Sequence, residues 1–299
     1  MTLSRSDIYA YGGIAALGAV LWALCRFLPA DMPFFMPWNF SWPAYLATAL
    51  SFFWFARGWN ALSASQRPSR WRVACFVLGV AADYIVLQTH VDYYALHLFY
   101  VHRWAHFALH HAAAFFIALG AAGPVIYAGM PRFGRVLCDS WPVKRAMDVM
   151  QHPAIAPTLF VGLLYLWLIP SIHTRVMLDT RWYDFMNWTM ALNGILFWCL
   201  VLDSRPKPPA RLSSLMRALM ILLIELPQMV LGAILSLAKT DYYDVYSICG
   251  RVMAITPISD EHYGGLIIWL PGTLTSFAAM LFVLNALRLN EEKLENGAR

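Results

Sequence analysis

Charged residues are scarce in this chain of 299 residues: they make up 13% of it, whereas hydrophobic residues make up 60%. A soluble domain carries about 25% charged residues, so this deficit excludes an ordinary soluble fold. Cysteine is also rare, and the five residues show no Cys-x-x-Cys spacing, which excludes the usual zinc and thiol-exchange motifs. Since no nucleophile is paired with a base and no phosphate-binding glycine loop is present, we predict that the chain is not an enzyme.

Long apolar runs stand where a soluble core would be. A run of about 18 or more apolar residues is typical of a membrane-spanning helix. We therefore predict an all-α fold, a polytopic membrane helix bundle that forms one integral membrane domain over residues 1–299. Its parts are an additional N-terminal span with an outer loop (1–36), a core (37–287) and a charged tail (288–299). Eight spans are predicted, at 8–28, 37–56, 72–90, 103–128, 154–170, 184–202, 213–238 and 264–287.

The distribution of lysine and arginine predicts the orientation. Sixteen of the 22 basic residues fall at one set of span ends, which the positive-inside rule assigns to the cytoplasm. Both termini are then cytoplasmic, and we predict a multi-pass protein of a bacterial inner (cytoplasmic) membrane. The net charge of +5 reflects this orientation and attraction to anionic lipid. Because the basic residues are spread over five segments without an aromatic platform, we expect a lipid partner and no nucleic-acid partner.

Histidine is concentrated at the opposite face. Eight of the nine histidines fall at the predicted outer ends of the spans. Histidine is the commonest metal ligand and carries protons near neutral pH, so this asymmetry predicts a metal or redox site at that face. The ninth, His152, begins the fifth span on the inner side and is interpreted as structural. The outer histidines are His90, His97, His102, His106, His110, His111, His173 and His262.

The strongest local pattern lies in the fourth predicted span. His102, His106 and His110 are spaced i, i+4, i+8, so on a straight helix they form one stripe, which His111 adjoins. Ionisable side chains inside a membrane are functional by default. Because imidazole and the thioethers of the outer segments together suit copper, especially Cu(I), copper is the expected metal. The predicted metal ligands are, in order, His102, His106, His110, His262, His90 and His97.

Carboxylates lie in two regions of the sequence from which they could orient a metal ligand or relay a proton. One acidic pair precedes His262 and a diglycine at the outer mouth of the last span, where the glycines permit close approach of another backbone. Two other carboxylates fall inside predicted spans, one of them close to Pro227, and an intramembrane carboxyl tends to hold its proton. The residues predicted to orient a ligand or relay a proton are Asp260, Glu261, Asp83, Glu225 and His111.

Five short motifs follow one another along the core. They are His102-Arg103-Trp104-Ala105-His106, His152-Pro153, Gly194-Ile195-Leu196-Phe197-Trp198, Pro227-Gln228-Met229-Val230-Leu231-Gly232 and Asp260-Glu261-His262-Tyr263-Gly264-Gly265-Leu266-Ile267-Ile268-Trp269. Their order resembles the multi-span CtaG family of cytochrome c oxidase assembly factors, of which this chain would be a divergent member. The resemblance covers residues 40–285, and the last motif is the most specific.

Three positions depart from the family pattern. Leu168 replaces a histidine that the family has at one span end, and Tyr183 and Asn187 replace its paired histidines. The resemblance implies help in maturing the copper centres of a respiratory oxidase, by copper handling at the outer (periplasmic) face. The implied partners are respiratory oxidase subunits or a copper chaperone. Histidines outside the family pattern, such as His173, would then have to replace the lost ligands.

Two other functions are compatible with the same residues. A membrane haem or quinone redox protein would use two histidines as axial ligands, for example His106 or His110 opposite a ring near His262. A copper transporter would need a polar path across the membrane, for which Asp83, Glu225 and His152 are the only candidates in the middle or on the inner side of the membrane.

Overall fold

The computed structural model describes residues 5–208 and 210–297, and every regular element within them is helical. The predicted all-α class is therefore confirmed. The α-helices of these residues are α1 (Arg5–Phe27), α2 (Trp42–Ala61), α3 (Arg70–Gln88), α4 (His90–His97), α5 (Phe99–Phe107), α6 (Ala113–Gly120), α7 (Gly123–Gly129), α8 (Arg132–Asp139), α9 (Trp141–Met150), α10 (Ile155–Leu168), α11 (Pro170–Met177), α12 (Thr180–Val201), α13 (Ser214–Ser236), α14 (Val245–Cys249) and α15 (Pro257–Gly297).

The number of candidate membrane spans is smaller than predicted. In the described part of the chain, α1, α3, α13 and α15 are each long and apolar enough to cross a membrane. Two bent pairs add to these: Phe99–Gly120 meets α7 at 71°, and α9 meets α10 at 75°. The candidate spans thus number four to six, and the predicted eight are not confirmed. Every predicted span overlaps a helix, although 103–128 continues past the bend into α7. Of these helices, α2 and α12 are too rich in polar and aromatic residues to qualify. The side on which the termini lie stays a prediction.

The first helix lies at the edge of the bundle. α1 buries only Gly18 and Cys25 along its 23 residues. It is held against α2 by an ion pair between Asp7 and Arg57, whose closest oxygen and nitrogen are 2.6 Å apart. Gly18 is required at the crossing, because a Cβ there would lie 2.6 Å from the Trp42 ring. The predicted boundary of this extra segment, at residue 36, stays a prediction.

The histidine-rich helix is irregular in its middle. α5, the five-residue π-helical turn Ala108–Ala112 and α6 form one continuous helix from Phe99 to Gly120. The Ala113 N–H donates to the Ala108 carbonyl, five residues back, which widens this turn. Single π turns are frequent at functional sites. The π turn therefore interrupts the predicted straight stripe between His106 and His110.

Two close helix contacts hold this helix and the last two long helices in place. A Cβ on Gly194 of α12 would lie 2.6 Å from the His110 carbonyl oxygen, so only glycine allows that approach. A Cβ on Gly232 of α13 would lie 2.8 Å from the Gly265 carbonyl oxygen of α15, and the reverse distance is also 2.8 Å. Small residues at such crossings are the usual means of helix packing in membranes.

The end of α5 that carries His102 is covered by α11 and by the segment that contains α14. Asp260 caps the start of α5, accepting hydrogen bonds from the backbone N–H groups of Phe99 (3.1 Å) and Tyr100 (2.9 Å). An acidic group is favourable there because of the helix dipole. Arg251 pairs with the same carboxylate at 3.1 Å. The Tyr243 ring stacks on Phe99 with centroids 4.3 Å apart, so the covering segment packs tightly on α5.

Candidate metal site

His102 and His106, here called the outer pair, lie one turn apart on α5 and point into the bundle. Their side chains are buried, with 0% and 3% of each residue exposed. The two Nε2 atoms are 3.0 Å apart. This contact is the one that the i, i+4 spacing predicts, and it brings two imidazole nitrogens within reach of one small ion.

A chain of hydrogen bonds fixes the protons of the outer pair. His173 Nδ1 donates to the Trp167 carbonyl (2.9 Å), which can only accept, so its Nε2 accepts from the Tyr246 hydroxyl (3.0 Å). The Tyr246 oxygen then accepts from His102 Nδ1 at 2.9 Å. His102 Nε2 therefore carries no proton and accepts a hydrogen bond. The proton between the two rings belongs to His106 Nε2.

Burial keeps the residues at the start of this chain neutral. It lowers the pKa of His173 to about 3, an effect to which the nearby Arg103 charge adds, so His173 is a neutral imidazole. Burial also raises the pKa of the Tyr246 hydroxyl well above its usual value, so it keeps its proton. The proton positions that we assign to His173 and Tyr246 therefore hold throughout the physiological pH range.

Polar residues of α12 complete the surroundings of the outer pair. Asn187 Oδ1 lies 3.2 Å from His106 Nε2 and offers its proton a second acceptor. The Tyr183 ring meets the His102 ring at 5.8 Å, and its hydroxyl donates to Asp92 at 2.7 Å. Burial raises the pKa of Asp92 to about 7, although the hydrogen bond from Tyr183 opposes that shift. This carboxyl therefore titrates in the physiological range.

His110 and His111, here called the inner pair, are held differently. His111 Nε2 lies 2.8 Å from Gln228 Oε1, and His110 Nε2 lies 3.2 Å from Asn193 Oδ1. The Gln228 amide nitrogen donates to the Ile224 carbonyl at 3.0 Å, so its oxygen must face His111. The inner pair is thus bound to amide groups of other helices, and the predicted third ligand, His110, does not share the nitrogen contact of the outer pair.

The remaining predicted ligands lie apart from this cluster and from one another. Each bonds a backbone carbonyl: His90 Nδ1 that of Phe34 at 3.2 Å, and His97 Nδ1 that of Gly250 at 2.8 Å. His262 Nε2 lies 2.7 Å from the Ala238 carbonyl. In the part of the chain that the structure describes, no three His, Cys, Asp or Glu side chains form a group able to hold a metal ion.

The predicted carboxylates have mainly structural partners. Asp260 caps α5, and one Glu261 oxygen accepts from the Tyr242 backbone N–H at 2.8 Å. Glu225 accepts a hydrogen bond from the Thr273 hydroxyl, which joins α13 to α15. Asp83 lies on α3, with one oxygen buried and unpaired by any described protein group. The predicted roles of these residues in orienting a ligand or relaying a proton stay predictions.

Sequence reasoning missed Tyr246 and considered His173 only as a replacement for the lost family ligands. Tyr246 lies 144 residues along the chain from His102, and no local spacing connects them. Met177 belongs to the same group, because its sulfur lies 3.9 Å from the Tyr246 oxygen. The useful signal was the pair of family departures, since Tyr183 and Asn187 both lie against the outer pair.

A family model described as "Cytochrome c oxidase caa3 assembly factor (Caa3_CtaG)" matches residues 52–288, most of the chain. The chain belongs to this family. No curated protein and no solved structure matches the sequence. Membership confirms the resemblance seen in the motifs, indicates a cytochrome c oxidase assembly factor, and points to a non-catalytic role.

Two of the motifs that resemble the CtaG family meet at the inner pair. Trp198 donates its indole N–H to the His110 carbonyl at 3.1 Å, and Gly194 lies against the same carbonyl. Gln228, from another motif, bonds His111. Motifs that are far apart in the sequence thus form one site in this CtaG-family protein.

Proposed function

We propose that this CtaG-family protein takes up copper as cargo at the outer pair and delivers it during oxidase assembly. The observation that carries the proposal is the 3.0 Å contact between His102 Nε2 and His106 Nε2 in a buried site. Metal–imidazole bonds are about 2.0 Å long, so one ion can reach both nitrogens with little movement of the helix. Metal binding requires displacement of the proton that His106 now holds.

The neighbouring donors suit a soft, monovalent ion. Two neutral imidazoles favour copper among the common metals. The Met177 thioether lies behind the His102 ring, 3.9 Å from the Tyr246 oxygen. His173 and Tyr246 fix the orientation of the His102 ring through their hydrogen bonds, as groups behind metal ligands commonly do. The expected partners are the oxidase subunits that receive the ion or a chaperone that supplies it.

The structure favours this function over a haem protein. The cavity beside His106 and the inner pair has a volume of about 20 Å³, which is far too small for a macrocycle. The outer rings also contact each other directly, with centroids 4.4 Å apart, rather than facing across a gap. The copper-transporter alternative stays a hypothesis.

Copper competition tests the proposal. Metal-free, full-length protein in detergent is titrated with Cu(I) against a chromophoric Cu(I) chelator. We expect His102→Ala/His106→Ala to lower the affinity by about tenfold or more. The matched control is His90→Ala/His97→Ala, which removes two histidines that bond only backbone carbonyls and should leave the affinity unchanged.

Oxidase assembly in cells provides the second readout. The same variants are expressed in a host that lacks its own copy, and the copper content and activity of the oxidase are measured. The outer-pair variant should fail to restore them, whereas the control should succeed. If the outer-pair variant folds, binds copper normally and supports assembly, the proposal is wrong. A His102→Gln/His106→Gln variant, which keeps polar side chains, separates loss of ligands from loss of folding.

A further inference from the structure

Arg103 is a buried cation for which no described protein group supplies a partner. It is 1% exposed, and its Nε and both Nη atoms lack a protein acceptor. Its guanidinium lies over the Phe99 ring at 5.1 Å from the centroid. Arginine remains charged in proteins, and a buried charge requires compensation by an opposite charge. A cation–π contact with one phenylalanine does not provide that.

The carboxylates near the start of α15 have other partners. Asp260 is bound by Arg251 and by the backbone N–H groups at the start of α5. Glu261 accepts from the Tyr242 backbone. Among the residues that the structure describes, no carboxylate lies within ion-pair distance of Arg103.

A small cavity adjoins Arg103. Its volume is about 20 Å³, and its polar lining consists of Arg103, His106, His110, His111 and Gln228, with apolar side chains around the rest. A water molecule needs roughly 10–15 Å³ by this measure, so the space holds one water-sized or slightly larger particle. Polyatomic anions such as phosphate or a carboxylate are too large. No acidic residue lines it.

We propose that this cavity binds one monoatomic anion, chloride in the cell, which neutralises Arg103. The guanidinium supplies N–H donors with no protein acceptor. His110 contributes no donor, because its Nε2 carries the proton towards Asn193 Oδ1. His111 contributes no donor, because Gln228 fixes its proton on Nε2. The anion needs no metal, although His106 of the outer pair also lines the cavity.

Halide dependence of thermal stability tests this inference. Full-length, metal-free protein in detergent with a chelator is unfolded while its tryptophan fluorescence is followed. Sodium gluconate is replaced by sodium chloride or bromide at constant ionic strength. We expect a saturable rise in Tm of roughly 2–4 °C with either halide. Arg103→Gln should abolish the rise, and Arg175→Gln, which removes an exposed arginine, should keep it.

Bromide diffraction gives an answer that does not depend on any variant being folded. Crystals of the wild-type protein grown in bromide should show an anomalous peak in the cavity beside Arg103. A Tm that is insensitive to halide, a rise of equal size in Arg103→Gln, or density for water alone in bromide crystals would overturn the inference. Because copper is absent throughout, these outcomes are independent of the proposed copper site.

Discussion

The outer and inner pairs place the same side chain in two different chemical settings within ten residues of one helix. The outer rings bond each other and the Tyr246 phenol, which in turn bonds the His173 imidazole, and His106 also contacts the Asn187 amide. The inner rings bond the amides of Asn193 and Gln228, which do not titrate. Position in a histidine-rich sequence therefore says less about function than the partner on the facing helix. The outer pair is suited to exchange, and the inner pair to fixing the helix.

The largest loss of stability is expected from a substitution of the glycine that packs against the inner pair. Gly194→Ala places a Cβ 2.6 Å from the His110 carbonyl oxygen, a backbone atom that cannot turn aside. We expect a loss of about 3 kcal/mol in the free energy of unfolding, at the upper end for overpacking. Thermal unfolding in detergent measures it. Gly162→Ala, where a Cβ meets nothing within 4 Å, is the matched control and should be neutral or stabilising. Equal effects at both glycines would show that the inner pair is not clamped.

Proton exchange near the outer pair predicts a pH effect centred on Asp92. Its pKa is raised to about 7 in the folded protein, so the unfolded chain ionises first as pH rises. Stability is then lost between the unfolded pKa and about 7 and is constant above that. Between pH 5.5 and 8 the loss is about 2 kcal/mol. Asp92→Asn should remove this pH dependence and be more stable than wild type at pH 8, as measured by Tm at both pH values. A wild-type Tm that does not fall between pH 5.5 and 8 would contradict the difference drawn between the surroundings of the outer pair, which titrate, and those of the inner pair, which do not.

Amide anchoring of the inner pair predicts a smaller effect. Gln228→Leu leaves His111 Nε2 buried without its acceptor, which should cost between about 1 and 2 kcal/mol at any pH from 6 to 8. Chemical or thermal unfolding across that range measures it. Copper affinity should be unchanged, because the outer pair is not touched. A change in copper affinity as large as that from loss of the outer pair would join the two pairs into one site.

The smallest loss of stability is expected for Tyr246→Phe, which should specifically weaken Cu(I) binding. Tyr246→Phe removes the hydroxyl between His173 and His102 and should cost about 1 kcal/mol. It should also weaken Cu(I) binding by about tenfold, since His102 loses the group that orients it. Cu(I) competition beside thermal unfolding distinguishes the two effects. Tyr242→Phe, on an exposed neighbour in the same segment, is the control. Unchanged copper affinity in Tyr246→Phe would mean that the hydrogen-bond chain does not support the site.

Local interactions explain what could be predicted from the sequence. Hydropathy and length act along one segment, so every predicted span overlaps a helix. The i, i+4 spacing correctly placed His102 beside His106. The count of eight spans is not confirmed, because α2 and α12 contain too many polar and aromatic residues to qualify as candidate spans. The setting of His110 could not be predicted, since its carbonyl contacts Trp198 and Gly194 of another helix. Tyr246 lies next to His102 only in the folded protein, so no local sequence pattern connects the two residues.

The π turn at Ala108–Ala112 also has an evolutionary meaning. It is equivalent to one extra residue in an α-helix, and one residue corresponds to a rotation of about 100°. Loss of a single alanine codon there would redirect everything from His110 onward while leaving His102 and His106 where they are. A descendant could thus acquire a third ligand for the outer pair, or lose its inner anchor, in one genetic event. The turn separates the two halves of the helix so that each can be changed without the other.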